Sequence, residues 1–175
     1  MTTSTQIDTE RTDILEMLAK HRHFLRFTVR DLTDEQAGLR TTVSELCLGG
    51  LIKHVAAVEA NWAGFILNGP AEAPDFSSMT EEQLAQWGEI FRMLPGDTLE
   101  GVLAEYERVA ARTDELVRTL PDLNVSQPLP EAPWFEPGGR WTARRTLMHI
   151  MTETAQHSGH ADIIRESLDG AKSMG

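Results

Sequence analysis

The stretch "TARRTLMHIMTETAQHSGHADIIRESLDG", residues 142–170, sets the fold class. Within it Thr146, Ile150, Glu153, His157, Ala161, Ile164 and Leu168 recur at steps of three or four, the spacing of one face of an α-helix. Thr142 has the side chain of a helix N-cap, and Gly170 is placed for a C-cap. The spacing predicts a helix running roughly from Thr142 to Leu168. Two members of the stripe do not belong on an apolar face. A buried Glu or His is costly unless something pairs with it.

Three more long helices follow from the same periodicity. The first runs roughly from Thr9 to Leu32 through Ile14, Leu18, Leu25 and Val29. The second spans Leu48 to Leu67, with Leu51, Val55, Val58, Trp62 and Phe65 on one side. The third spans Thr98 to Leu120, with Leu99, Val102, Tyr106, Val109, Thr113 and Leu116, and Pro121 stops it. Leu84, Trp87 and Phe91 suggest a short extra helix over Glu81 to Phe91. Strand signals are weak, with no alternating runs and no Asn-Gly or Asp-Gly hairpin. The expectation is an all-α protein, a four-helix bundle with long crossover loops, forming one domain over residues 1–175. The loops are "NGPAEAPDFSSM" (68–79) and "PDLNVSQPLPEAPWFEPGGRW" (121–141). Loops of that length are often lids or binding loops, and Trp134, Phe135 and Trp141 argue against disorder in the second.

Composition narrows the function. The 175 residues carry a formal net charge of −11. Phosphate contacts need a basic face, so a nucleic-acid binder is disfavoured, as is docking on an anionic membrane. There is no apolar run long enough to span a bilayer, and the N-terminus is polar and acidic. The reading is a cytoplasmic protein acting on small molecules, with a homodimer compatible with its long helices. The one cysteine, Cys47, makes no internal disulfide and has no base beside it in sequence; it reads as a small residue at a helix start.

A lone histidine on an apolar stripe is more often a hydrogen-bonded core residue than a ligand, and a lone glutamate is often tilted to the edge. Here there are three exceptions on two core-facing helices, because His54 lies between Leu51 and Val58 on the second helix. Glu153 and His157, one turn apart, present a carboxylate and an imidazole to one ion. A third donor from a neighbouring helix completes a facial set. Two His and one Glu with positions left open serve catalytic zinc, and the set is similar to the two-His-one-carboxylate site of non-haem iron.

The blocks "LIKHVAAVEANW" (51–62) and "GRWTARRTLMHIMTETAQHSGHADIIRESLDG" (139–170) resemble the DinB-like superfamily of four-helix metalloproteins, and "DLTDEQAGLR" (31–40) resembles its loop after helix one. The similarity is to the branch of mycothiol-dependent enzymes, which includes maleylpyruvate isomerase and thiol S-transferases. The resemblance implies His54, Glu153 and His157 as ligands of a divalent metal, zinc first, with nickel or iron as alternatives. It implies a low-molecular-weight thiol such as mycothiol as co-substrate. The chain ends at Gly175, soon after the last helix, which favours the shorter S-transferases over the isomerase. The expected activity is metal-dependent transfer of a thiol to a small electrophile. The alternatives are a hydrolase or isomerase on the same site, or a non-catalytic metal-binding bundle.

Other residues have weaker signals. His160, one turn past His157, is the candidate catalytic residue, as a donor to a ligand or a substrate contact; a surface histidine is the plain alternative. His149 could approach Glu153 but reads as a helix-flank residue, and His21 as a core-edge residue. Glu59, off the His54 face, reads as a salt-bridge partner. Asp162 and Arg165 resemble a family-typical structural pair. Arg144 and Arg145 carry the wrong charge for a helix N-terminus and could serve an anionic group or a partner.

Overall fold

In a computed structural model of the chain, residues 3–70, 80–82 and 88–173 are described, with side chains from residue 9 onward. Five α-helices account for most of them: α1 (Thr3–Phe27), α2 (Asp34–Gly38), α3 (Leu48–Asn68), α4 (Leu99–Thr119) and α5 (Ala143–Asp169). The four long ones form a ring: α1 packs on α5 and α4, and α3 packs on α4 and α5. The all-α bundle is as expected.

The helix ends follow local chemistry. Thr142 caps α5 by accepting from the Arg145 N–H, and Gly170 closes it in the left-handed conformation at φ 79°. Thr98 caps α4 through the Gly101 N–H. Cys47 stands at the start of α3 with its side chain buried. Helix α1 stops at Phe27, short of the expected Leu32. The Arg165 guanidinium takes the carbonyls of Thr28 and Arg30, at 2.7 and 2.8 Å; a helix reaching Leu32 would have used the Thr28 carbonyl for the Leu32 N–H. The chain turns there instead, with Asp31 at φ 59°. A short helix that the sequence reading did not anticipate, α2, opens with a capping box between Thr33 and Gln36. Of the expected Glu81–Phe91 helix, residues 83–87 lie outside the described residues, and Glu89–Phe91 form a 3-10 turn.

The weak strand pattern hid a small antiparallel sheet, in which β1 (Ser126–Pro128) pairs with β2 (Arg140–Thr142). Strands of three residues are too short to show a two-residue period. Their pairing folds the 121–141 loop back onto the start of α5.

The core has two apolar clusters. One gathers Leu25, Val29, Leu51, Val55, Tyr106, Ala161 and Ile164. The other gathers Ile14, Leu18, Ile66, Leu116, Val117, Leu147 and Ile150. In sequence, a buried polar layer interrupts the apolar stripes between them: Arg22 on α1, Glu59 on α3, Thr113 on α4, and Thr154 and Ser158 on α5. Arg22 binds Glu59 through two nitrogens, at 2.5 and 3.1 Å, and Asp114 through the third at 2.7 Å. On α5 the polar layer shares its turns with Glu153 and His157.

Candidate metal centre

Helix α5 does not bury Glu153 and His157 at the centre of its apolar face. That centre runs through Ile150, Thr154, Ser158, Ala161 and Arg165. Thr154 and Ser158 fit there because their hydroxyls donate back to the carbonyls of Ile150 and Thr154. Glu153 and His157 lie one column over, with side chains 27% and 13% exposed. They therefore line an edge that solvent, and so a substrate, can reach.

The two are close, with Glu153 Oε2 at 3.7 Å from His157 Nε2. From α3, the His54 ring meets the His157 ring edge-on at 4.8 Å and stacks on Phe91 at 4.2 Å. One donor atom from each of His54, Glu153 and His157 lies within 4.8 Å of the others. The close seating of Phe91 depends on Gly50, where a Cβ would fall 1.8 Å from the Phe91 carbonyl oxygen.

The electrostatics suit a cation. Burial, helped by the neighbouring His157, pushes the His54 pKa down to about 4. Burial also lowers His157, against the pull of Glu153. Both imidazoles are thus neutral at neutral pH, the form that binds metal. Among the described residues His54 Nδ1 is buried with no hydrogen-bond partner, an uncompensated cost that a cation bound at that nitrogen would offset. Two neutral imidazoles, one carboxylate and an open side match a catalytic divalent site, and the residues present fit such an ion.

A second rank of histidines flanks the three. His160 Nδ1 is 3.3 Å from His157 Nδ1, on the ring edge away from Glu153. His149, expected on the helix flank, instead points at the centre, with Nε2 3.8 Å from Glu153 Oε1. It is held there edge-on to Trp62 and Trp141, at 4.9 and 5.1 Å. Those two indoles stack on each other at 5.0 Å, and Phe135 packs against both. The sequence reading missed this aromatic wall. Its signal was present: Trp62 follows His54 by eight residues on the same helix, and the loop is rich in aromatics.

The remaining candidates lie elsewhere. His21 is not part of the cluster; its carbonyl accepts from Ser158 and its ring packs on Phe24. Glu59 is a salt-bridge partner, as expected, but fully buried and on Arg22 of another helix. Asp162 and Arg165 do not pair with each other. Asp162 takes the backbone and hydroxyl of Ser173, while Arg165 bridges Asp169 to the turn after α1. Arg144 is committed to Glu10 and Asn124 and is not left for a ligand, which corrects the expectation for that residue. Arg145 lies over the Trp141 ring, 4.8 Å from its centroid. The Cys47 thiol faces the Phe91 carbonyl at 3.6 Å, with no base among its described contacts. A groove of about 510 Å³ on the α3–α4 side includes none of the three candidate ligands.

Fold and donor set together define an all-α bundle of the DinB-like kind, with a candidate metal centre between two of its long helices. The chain belongs to the mycothiol-S-transferase family, whose model matches residues 13–170. No curated protein sequence matches it. Its backbone is similar to "Crystal structure of the conserved protein of locus from Enterococcus faecalis", with a TM-score of 0.65 and 14% identity over 91% of this chain and 97% of that one. At that identity the likeness speaks for the fold alone. Among the described residues no helix is long and apolar enough to cross a membrane.

Proposed function

We propose that the protein is a divalent-metal-dependent thiol S-transferase, with zinc the first choice of metal and mycothiol the first choice of thiol. The convergence of His54, Glu153 and His157 from two helices carries this reading, and the family of the chain supplies the thiol. These three residues would hold the ion. A divalent cation so held acts as a Lewis acid that keeps a coordinated thiol deprotonated near neutral pH.

The chain's own groups do the rest. His160 braces His157, fixing which nitrogen faces the centre. His149 and the indoles behind it form a dry wall on one side, and the 121–141 flap carries part of that wall. The exposed edge at Glu153 leaves an entry. In the net reaction the thiol sulfur bonds to an electrophilic carbon, the bond to the leaving group breaks, and that group departs with the electron pair. The thiol proton goes to solvent.

The test is a cobalt-substituted sample titrated with a small thiol. The proposal requires new sulfur-to-metal absorption, and transfer to a model electrophile that is lost when the metal is stripped. Cobalt binding without a response to thiol favours hydrolysis, and no cobalt binding favours a bundle without a metal role.

A further inference from the structure

Two of the three candidate ligands are fixed by a neighbour that is not itself in the set. His54 stacks on Phe91 at 4.2 Å, and His157 has His160 behind it at 3.3 Å. Glu153 has no such bond: among the described residues it makes no hydrogen bond, and its charged contacts are two imidazoles, each one turn away along α5. The two share the carboxylate. Oε2 lies 3.7 Å from His157 Nε2, and Oε1 lies 3.8 Å from His149 Nε2. At these lengths neither contact is a hydrogen bond. One oxygen is therefore turned toward a fellow ligand, and the other toward a histidine outside the set of donors that lie within 4.8 Å of one another.

The direction of the His149 ring is set by its surroundings. Trp62 from α3 and Trp141 from β2 meet it edge-on, at 4.9 and 5.1 Å, and the two indoles stack on each other at 5.0 Å. The β1–β2 pairing places Trp141 opposite Gln127. Packing from a helix and a strand thus aims an imidazole nitrogen at the Glu153 oxygen that the other ligands do not face.

We propose that His149 is a positioning residue for the metal centre: with an ion bound, its Nε2–H takes Glu153 Oε1 and leaves Oε2 as the donor oxygen. The proposal rests on the metal reading above. A carboxylate can give a divalent ion one oxygen or two. One oxygen and two imidazoles make three protein donors, which leaves the fourth position of a tetrahedral ion to a thiol sulfur. A second Glu153 oxygen would compete for that position, so holding Oε1 keeps the site open.

The test sets His149→Phe against His149→Gln in the full chain. Phe keeps a flat ring beside the two indoles and has no donor, whereas Gln gives up the ring and keeps an N–H. Zinc affinity is measured by chelator competition, and coordination by the visible spectrum of the cobalt-loaded protein. His149→Phe should bind zinc roughly 10- to 100-fold more weakly, the usual cost of removing a partner of a ligand. Its cobalt bands should be weaker than those of wild type, as expected when more than four donors surround the ion. His149→Gln should lie close to wild type in both. If His149→Phe fails to fold, as judged by its unfolding midpoint in chelator, His149→Leu takes its place as the variant without a donor. The reverse order, with Phe like wild type and Gln impaired, makes His149 a packing residue and overturns the proposal. Equal losses in the two variants also overturn it, because His149 would then be needed as an imidazole, as a fourth ligand is. If wild type binds cobalt and both variants match it, the positioning role falls and the metal reading stands. If wild type binds neither zinc nor cobalt, the metal reading fails and this role with it.

Discussion

His160 Nδ1 lies 3.3 Å from His157 Nδ1, so the imidazole that presents Nε2 to Glu153 is held from behind by a second imidazole. With a metal on Nε2, His157 would carry its proton on Nδ1 and donate it to His160 Nδ1. Metal binding would then fix the tautomer of both rings. Removing such a partner costs roughly 10- to 100-fold in metal affinity in comparable sites. His160→Ala should weaken metal binding within that range while leaving the metal-free unfolding midpoint nearly unchanged, and His160→Gln, which restores an acceptor, should recover much of the loss. Competition with a chelator of known affinity measures it. A His160→Ala protein with wild-type affinity would make His160 a surface residue.

The pH dependence of the metal-free protein has a definite sign. The folded-state pKa of His54 is about 4, against about 6.5 in an unfolded chain. Between those values the unfolded chain holds a proton that the folded chain refuses, so stability rises with pH across that window. The contribution is fully present above about 6.5 and drains away as pH falls toward about 4. His21, His149 and His157 are lowered too, each chiefly by burial. In chelator the wild-type unfolding midpoint should therefore fall on acidification through that window. His54→Leu should show a shallower fall, and a profile identical to wild type contradicts the burial of His54.

Glu59 and Arg22 are buried together, at 0% and 2% exposure. Removing one member of such a pair strands the other charge and costs about 3–5 kcal/mol. Glu59→Ala should be destabilised on that scale by chemical denaturation. The double replacement Arg22→Met, Glu59→Leu should recover a large part, and the metal affinity of the folded protein should not change. A loss of metal by the double variant would instead make the polar layer part of the site.

The backbone at Gly50 is a steric prediction. A methyl group there meets the Phe91 carbonyl, and overpacking of this kind costs about 1–3 kcal/mol. Because Phe91 stacks on His54, Gly50→Ala should also weaken metal binding although Gly50 has no donor. Unchanged affinity in a destabilised variant would show that Phe91 does not position His54.

The parts of the molecule legible in the sequence are those with local signals. Thr142 and Gly170 mark the ends of α5 because capping is decided within a turn. His54, Glu153 and His157 were visible because each breaks an apolar stripe. The column was misjudged: Thr154 and Ser158 occupy the buried centre, since hydroxyls that bond back to their own helix pass as apolar. The pairing of Arg22 with Glu59 and the turn at Thr28 had no local signal, because each is decided by a residue far along the chain. The same holds for the aromatic wall, where a loop residue meets helix α3.

Thermal unfolding of wild type and Glu153→Leu at neutral pH, each with excess zinc and with chelator, tests the ligand set most directly. Binding to the native state alone adds about 2.7 kcal/mol at a metal concentration about 100 times the dissociation constant. Zinc should raise the wild-type midpoint, chelator should abolish that gain, and the Glu153→Leu midpoint should hardly respond to either. If the variant is as stable as zinc-loaded wild type and both ignore chelator, Glu153 is an edge carboxylate with no metal to hold, and the proposed function falls with it.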